Sequence, residues 1–306
     1  MPAIRYGRLP TEQAHPRSRN LDRLPLPRLL RIMSDEDARV VRAVRRAHPQ
    51  IARAIRLIAD RLRGGGRLCF IGAGTSGRLG VIEAAECPPT FSTNPGMIRG
   101  LMAGGRGAVF RSREGAEDDA AAGRRAIRRT VRPGDVLVGI AASGVTPFVT
   151  GALAAGRGAR AATILLTCNP QAALPADVRI RLAVGPELLA GSTRLKAGTA
   201  TKLALNMLTL GAMVQLGKTY GHLMVDVRPA SRKLRARAVC MVRMIAGASP
   251  SQAAAALARA RGRVKLAVLL AAQGLSVPMA ERCLAQAGGS LRQALARPRR
   301  RAARQR

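Results

Sequence analysis

Hydrophobic and polar positions along the chain follow two different periods. After residue 37 apolar residues recur at the spacing of an amphipathic helix, with Ser34–Asp37 placed to begin it and Gly64–Gly66 to end it. Beyond this helix, short apolar runs alternate with longer helical stretches. The short runs predict strands at 68–71, 97–102, 136–141, 162–166 and 178–184, and the longer stretches predict helices from about 78 and at 114–128, 147–155 and 197–217.

This alternation predicts an α/β fold, in which a parallel sheet is flanked by helices on both faces. Residues 234–296 contain helical patterns and alanine-rich runs but no good strand, so they predict a small all-helical C-terminal domain. We therefore expect four parts: a helical lead-in at 1–55, a doubly wound sheet domain at 56–233, a helical domain at 234–297 and a basic tail at 298–306.

The formal charge of +35 raises the question of nucleic-acid binding. Arginine is scattered over nearly every segment beside abundant alanine and glycine, which indicates a compositional bias rather than a binding patch. Only 2% of the residues are aromatic and tryptophan is absent, so the stacking surfaces of a single-strand or RNA binder are missing. We expect no specific nucleic acid as partner, although the arginine-rich tail can bind polyanions nonspecifically.

The cysteines and the hydropathy indicate where the protein works. Five widely spaced cysteines form no CxxC pair and no zinc-like cluster, which is typical of reduced thiols in the cytoplasm. The N-terminus lacks an apolar signal segment, and no apolar run approaches the roughly 20 residues of a membrane helix. These features predict a cytoplasmic protein with no metal and no membrane partner.

Three loops carry the residues suited to holding a phosphate. Each combines glycine with hydroxyl side chains just before or within a predicted helix start, where backbone amides and hydroxyls can bind an anion. One such loop is weak evidence, because hydroxyl caps also occur for structural reasons, but three at the carboxyl ends of parallel strands predict a phosphate site. The candidate ligands are Gly74, Thr75, Ser76, Gly77, Ser143, Gly144, Thr146, Ser192, Thr193 and Lys196.

The expected ligand is a phosphorylated small molecule rather than a nucleotide. The first loop, 72–77, lacks the terminal Gly-Lys-Ser/Thr of a nucleotide-binding P-loop. It is also not followed, about 20 positions on, by the acidic residue of a dinucleotide site.

Long stretches of the chain resemble one enzyme family. The motifs are IGAGTSGRLGVIEAAECPPTF at 71–91, EGAED at 114–118, GIAASG at 139–144 and GSTRLKAGTA at 191–200, with weaker similarity in the early TEQ and DRLP and in GHLMVDVRP at 221–229. Together they resemble the N-acetylmuramic acid 6-phosphate etherases, which have a sugar isomerase (SIS) fold. The resemblance covers nearly the whole chain, and it makes the helical C-terminal region similar to a ubiquitin-associated-like domain.

The resemblance implies a reaction and a pair of catalytic carboxylates. The implied reaction converts N-acetylmuramate 6-phosphate to N-acetylglucosamine 6-phosphate and D-lactate without a cofactor, by elimination of lactate and addition of water. It assigns Glu86 as the acid toward the lactyl oxygen and Glu117 as the acid/base at C2, with the division between acid and base left open. From the residues alone, Glu86 is typical of an exposed helix charge and Glu117 of a first-turn carboxylate. We interpret three neighbouring acids as structural: Glu83, Glu114 and Asp118.

Other polar residues carry less weight. The isolated His15, His48 and His222 are typical of surface or packing positions, and Cys87 has no histidine base beside it. The chain also departs from the pattern of the family: Val145 stands where Arg is usual, Ala190 where Thr is usual and His222 where Asn is usual.

Three rival functions remain open at this level. A regulatory sugar-phosphate sensor of the same fold would lack turnover, a sugar-phosphate isomerase would need a base at C2 but no leaving ether, and a nucleic-acid binder would depend steeply on salt. SIS domains generally pair, and the apolar helix from Ala197 suits a shared interface. We therefore expect a homodimer with its sites near the subunit boundary.

Overall fold

A computed structural model describes most of the chain, namely residues 7, 9–227, 229 and 231–296. The predicted basic tail at 298–306 lies outside these residues. The chain divides into two compact units, of which the first comprises Met1–Ala85 and Pro95–Ala212 and the second comprises Glu86–Asn94 and Met213–Arg306. The domain limits given above stay a prediction.

The first unit contains one five-stranded sheet in which every strand pairs in parallel, as predicted. The strands are β1 (Leu68–Gly72), β2 (Ile98–Met102), β3 (Val136–Ile140), β4 (Ala162–Thr167) and β5 (Val178–Arg181). Their order in the sheet is β2-β1-β3-β4-β5. β1, β3 and β4 are buried at every residue, whereas the edge strands β2 and β5 are only partly buried, which explains why the central strands have continuous apolar runs.

Helices cover both faces of this sheet. The helices are α1 (Leu26–Arg46), α2 (His48–Arg63), α3 (Gly74–Phe91), α4 (Ala120–Thr130), α5 (Pro147–Gly158) and α6 (Lys196–Gln215). On one face, Ile127 of α4 and Phe148 of α5 belong to one core cluster with Ile71, Leu137 and Leu165 of the central strands. α3 covers the opposite face, where an added Cβ at Gly80 would lie 2.8 Å from Cβ of Phe70.

Two glycines let α4 and α5 touch backbone to backbone. A Cβ added at Gly123 would lie 2.0 Å from the carbonyl oxygen of Phe148, and one added at Gly151 would lie 2.1 Å from that of Ala120. Real atoms do not approach so closely. Only glycine therefore permits this contact, which seals one face of the core.

Three helix starts differ from the predictions. The single helix predicted from Ser34–Asp37 is wrong: α1 begins at Leu26, and α2 follows a break at Ala47. Proline explains both starts, because Pro27 and Pro49 each lie in a first turn, where the missing N–H is not needed. Ser34–Asp37 therefore lie inside α1.

The other two starts bear on the site. α3 begins at Gly74 rather than near Arg78, so the glycine-rich loop is itself the first turn of the helix. α4 begins at Ala120 rather than at Glu114, because Asp119 caps it by accepting a hydrogen bond from the amide of Ala122 at 2.7 Å. Glu117 thus lies in the turn before α4, not in its first turn.

The second unit is helical, as predicted for this part of the chain. Its core is aliphatic, with Met241, Leu257, Val268 and Leu269 among its buried side chains. The helices are α7 (Arg232–Ala246), α8 (Pro250–Arg259), α9 (Val264–Gln273), α10 (Val277–Gln286) and α11 (Leu291–Ala296). Within the described residues no single helix has the length and hydropathy of a membrane span; α9 and α10 reach them only as a pair bent by 111°.

Candidate active site

A cavity of about 370 Å³ lies at the carboxyl ends of β1, β2 and β3 in the first unit. Met102 ends β2 and Ile140 ends β3, and both line it together with residues that follow β1. This is the position at which open parallel sheets bind ligands, because the loops there turn into helix N-termini. Seven of the predicted site residues line the cavity: Gly74, Thr75, Ser76, Glu117, Ser143, Thr146 and Thr193.

The first predicted loop supplies a helix N-terminus to the cavity. Gly74, Thr75 and Ser76 form the first turn of α3, where amide groups have no partner four residues earlier in the helix. Gly77 is buried and does not line the cavity. An added Cβ at Gly77 would lie 2.7 Å from the carbonyl oxygen of Gly72, so glycine permits the close approach of α3 to β1. Its part in binding a ligand stays a prediction.

The second loop contributes two hydroxyls. The hydroxyl of Ser143 accepts a hydrogen bond from the amide of Val145 at 3.3 Å. The side-chain amide of Asn169 donates a hydrogen bond to the carbonyl oxygen of Ser143 at 2.9 Å. Thr146 precedes α5 without capping it, so its hydroxyl is not bound to the helix. Gly144 has φ +74° and packs against Ala172 behind the cavity, a conformation that favours glycine.

The third loop contributes Gly191 and Thr193 but not the other predicted ligands. Ser192 is half-buried and lies outside the cavity lining. Lys196 is 3% exposed, and its ammonium group is 2.8 Å from a carboxylate oxygen of Glu36. Lys196 therefore does not line the cavity, and its predicted role in binding phosphate stays a prediction.

The two predicted catalytic carboxylates have different surroundings. Glu117 is half-buried and lines the cavity, and its carbonyl oxygen accepts a hydrogen bond from the amide of Phe148 at 2.9 Å. Glu86 lies on α3 within the second unit, has an exposed side chain and is not among the residues that line this cavity. Its carbonyl oxygen accepts a hydrogen bond from Thr90 at 2.8 Å.

The departures from the family pattern also have defined positions. Val145 is half-buried in the cavity lining, so this wall of the cavity is apolar where the family usually has a cation. Ala190 and His222 are exposed.

Sequence reasoning missed an acidic and a basic contribution to the cavity. Thr11 and Glu12 line it, and the only signal for them was the early TEQ motif. Arg78 and Arg113 also line it. Both donate to backbone carbonyls, Arg78 to Ala108 at 2.9 Å and Arg113 to Gly104 at 3.3 Å, so they brace the segment that follows β2.

Cysteine and metal chemistry have little support in the described residues. Burial raises the pKa of the Cys69 and Cys168 thiols to about 12, so both stay protonated at neutral pH. Cys87 is also buried. Among the residues described, no group of three or more His, Cys, Asp or Glu side chains is placed to hold a metal ion.

The chain is similar to a known domain family and to several solved structures. Residues 50–157 match the glucokinase regulatory protein N-terminal SIS domain. The protein c3406 of Escherichia coli CFT073 is 18% identical with a TM-score of 0.46, over 65% of this chain and 96% of its own. Phosphoheptose isomerase GmhA from Neisseria gonorrhoeae is 19% identical with a TM-score of 0.43, over 60% of this chain and 98% of its own.

Curated relatives are far more similar over nearly the full length. The N-acetylmuramic acid 6-phosphate etherase of Synechococcus sp. CC9605 is 51% identical, covering 96% of this chain and 94% of its own. That of Gloeobacter violaceus is 52% identical, covering 94% and 95%. That of Rubrobacter xylanophilus is 50% identical, covering 97% and 99%. The chain therefore belongs to the N-acetylmuramic acid 6-phosphate etherase family.

Proposed function

We propose that this chain cleaves the lactyl ether of N-acetylmuramate 6-phosphate, which yields N-acetylglucosamine 6-phosphate and D-lactate. Family membership gives the substrate class, and the observation that carries the proposal is a cavity that joins hydroxyl-bearing helix starts to a half-buried carboxylate, Glu117. Such a cavity has separate places for a phosphate and for a proton transfer. The protein thus acts in the breakdown of cell-wall amino sugars.

The phosphate of the substrate binds at the hydroxyl-bearing loops. First-turn amides of α3 and the side chains of Thr75 and Ser76 offer hydrogen-bond donors, and the positive end of the helix dipole adds to them. Ser143, Thr146 and Thr193 add hydroxyls from the other two loops. Neutral donors suffice because the bonds they make to a phosphate are charge-assisted.

Elimination requires one group that accepts a proton and one that donates. In the ring-opened sugar, the C2 hydrogen is alpha to the aldehyde and therefore acidic. A carboxylate removes this proton, the electrons form a C2=C3 double bond, and the C3–O bond to lactate breaks as the lactyl oxygen gains a proton. Water then adds its oxygen to C3 and a proton to C2.

The two carboxyl groups take these roles by their resemblance to the family. Glu117 exchanges the proton at C2, and Glu86 protonates the departing lactyl oxygen. Such a pair works when the two environments separate the pKa values, so that one group is charged and the other protonated. The reaction needs neither a metal nor an organic cofactor.

We further propose a cytoplasmic homodimer. Leu26, Leu30 and Met33 form an exposed apolar stripe along α1, with a spacing of four and three residues, and Leu210 is exposed on α6. Exposed apolar surface of this kind is stabilised when a second copy covers it. Sites near the subunit boundary would then receive groups from both copies.

The test is lactate release from N-acetylmuramate 6-phosphate by the purified protein, repeated in heavy-oxygen water. We expect lactate from the wild type and one heavy oxygen at C3 of the product sugar. Glu86→Ala and Glu117→Ala should abolish turnover while the protein still binds the product sugar phosphate.

The same experiment separates the rival functions. Saturable binding of sugar phosphates without lactate release would contradict the etherase and favour a sensor. Interconversion of ketose and aldose phosphates would favour an isomerase. Lactate release without label at C3 would contradict the elimination and hydration route but not the etherase activity.

A further inference from the structure

Glu36 is a buried carboxylate that the proposed reaction does not use. It lies on α1 and is 1% exposed. Four cationic or potentially cationic side chains surround it: His15 Nε2 at 3.1 Å, Arg17 Nη2 at 3.2 Å, Arg39 Nη1 at 3.2 Å and Lys196 Nζ at 2.8 Å. Burial opposes ionisation, but these partners hold the pKa of Glu36 below its usual value, so it is charged at neutral pH.

This carboxylate ties together three parts of the first unit. His15 and Arg17 belong to the N-terminal segment, defined here as residues 9–17, and Lys196 begins α6. His15 is fixed at both ring nitrogens, because Nδ1 accepts from the amide of Arg17 at 3.2 Å while Nε2 faces Glu36. The network thus anchors the N-terminal segment to α1 and to the start of α6.

The anchored segment reaches the cavity. Leu9, Thr11 and Glu12 line it. The carbonyl oxygen of Thr11 accepts a hydrogen bond from the amide of Gly191 at 2.9 Å, so the segment is also bound to the third loop. An added Cβ at Gly191 would lie 3.3 Å from Glu12 Oε2, which places this carboxylate against the loop.

Glu12 retains the capacity to bind a ligand. Within the part of the chain that is described, its carboxylate receives one hydrogen bond, from the Thr11 hydroxyl at 2.9 Å. A carboxylate accepts about four hydrogen bonds and donates none. Thr11 is 4% exposed and therefore holds one oxygen in place, which leaves the other acceptor positions for groups in the cavity.

We propose that Glu12 is a substrate-binding residue, which accepts a hydrogen bond from a hydroxyl or amide N–H of the sugar, and that Glu36 is the positioning residue that holds Glu12 there. The inference rests on the proposed function for its substrate class. A carboxylate repels the phosphate and the lactyl carboxylate but attracts the polar hydrogens of the sugar. Glu12 therefore selects the orientation in which the sugar, not an anionic group, faces the N-terminal segment.

The test compares Glu12→Ala, Glu12→Gln and Glu36→Gln in two assays. One assay measures kcat and KM for lactate release, and the other measures calorimetric affinity for N-acetylglucosamine 6-phosphate, which needs no turnover. We expect Glu12→Ala to raise both KM and the product Kd about tenfold, the value of one hydrogen bond to a charged group, with kcat nearly unchanged. Glu12→Gln keeps an acceptor oxygen and should recover part of the affinity.

Glu36→Gln tests the positioning role. It should raise KM in the same direction, and adding Glu12→Ala to it should cause little further loss, because both changes remove the same contact. The matched control is Asp60→Asn, since Asp60 is exposed, pairs with Arg63 at 2.8 Å and lies outside both the Glu36 network and the cavity lining. This control should leave both constants unchanged.

The outcomes separate this inference from the proposed function. Wild-type KM and product Kd in Glu12→Ala would overturn the inference while lactate release upheld the etherase. Absence of lactate release would overturn the etherase, and the product Kd of Glu12→Ala would still decide the role of Glu12. Fully additive effects of Glu12→Ala and Glu36→Gln would overturn the positioning role, and a thermal melt confirms that each variant is folded.

Discussion

Two acidic regions of the first unit contrast in how their carboxylates are surrounded. Glu117 is half-buried in the cavity lining, within a turn that also contains Glu114 and Asp118. Glu36 is almost completely buried, with cationic partners from three segments. One carboxylate is open to a ligand, and the other is occupied by the protein.

The contrast shows that charge alone does not identify a site residue. Lys196 follows a hydroxyl-bearing loop and looks suited to a phosphate, yet its ammonium stabilises Glu36. Arg78 and Arg113 line the cavity but bind backbone carbonyls. The cations near the cavity therefore shape it, and the proposed phosphate ligands are neutral donors.

The largest expected effect is on turnover and comes from Glu117, the carboxylate that lines the cavity. Glu117→Gln should lower kcat for lactate release by about 100-fold or more, because an amide cannot exchange a proton at C2. The free energy of unfolding in urea should change by less than about 0.5 kcal/mol, since the side chain is not part of a buried network. Glu114→Gln, in the same turn, is the matched control. Equal losses of kcat in the two variants would mean that the negative charge of this turn matters, rather than proton transfer by Glu117.

The next effect is on stability and comes from the buried carboxylate. Glu36→Ala leaves the Lys196 ammonium buried without its partner and should lower the free energy of unfolding by about 3–5 kcal/mol. Urea titration measures it, with Asp35→Ala as the exposed control. Adding Lys196→Met should recover part of the loss. A loss below roughly 1 kcal/mol, the value of an exposed ion pair, would show that solvent compensates the charge.

The pH dependence of stability should report the same network. Burial lowers the pKa of His15 from its usual 6.5 despite the opposing effect of Glu36, so the unfolded chain binds the proton more readily. The buried, neutral His15 therefore contributes to the free energy of unfolding above pH 6.5, and this contribution is lost as the pH falls through the pKa of His15 in the folded state. The lowered pKa of Glu36 adds a second loss below about 4.5. In urea titrations between about pH 7.5 and about pH 5, His15→Asn should flatten the dependence, and an unchanged slope would assign it to other groups.

The smallest expected effect restores a cation to the cavity wall. Val145→Arg should lower KM for the sugar phosphate by at most about fivefold, which is the range of a solvent-accessible ion pair. The effect should shrink at high salt because such pairs are screened. Val145→Gln is the uncharged control of similar length. An equal gain in both variants would mean that shape, not charge, improved binding.

The sequence predicts helices and strands better than it predicts which side chains contact one another. β1, β3 and β4 were predicted because buried parallel strands leave continuous apolar runs. The start of the helix at Lys196 was predicted to within one residue, whereas its end at Gln215 was predicted at 217. The sequence does not predict the break between α1 and α2, because Ser34–Asp37 has the composition of a helix cap, whereas prolines set both helix starts. The acidic residues from Glu114 likewise predict a start for α4 that is too early, because Asp119 is the capping residue.

The candidate site was predictable where motifs are continuous. The hydroxyls of the three loops and Glu117 lie within single stretches of sequence, and most of these residues line the cavity. Glu36 and Lys196 are 160 positions apart, and no periodicity or motif links residues so distant. For Thr11 and Glu12 the sequence offers only the TEQ motif, and the structure is what places both residues in the cavity lining.

The backbone contact between α4 and α5 has a genetic consequence. Every single-base change that replaces a glycine either adds a side chain or stops translation, so Gly123 and Gly151 have no conservative neighbour among missense mutations. Even alanine would have to push a helix backbone aside. A survey of random variants for conditional alleles should therefore find temperature-sensitive strains concentrated at these two positions, although neither lines the cavity.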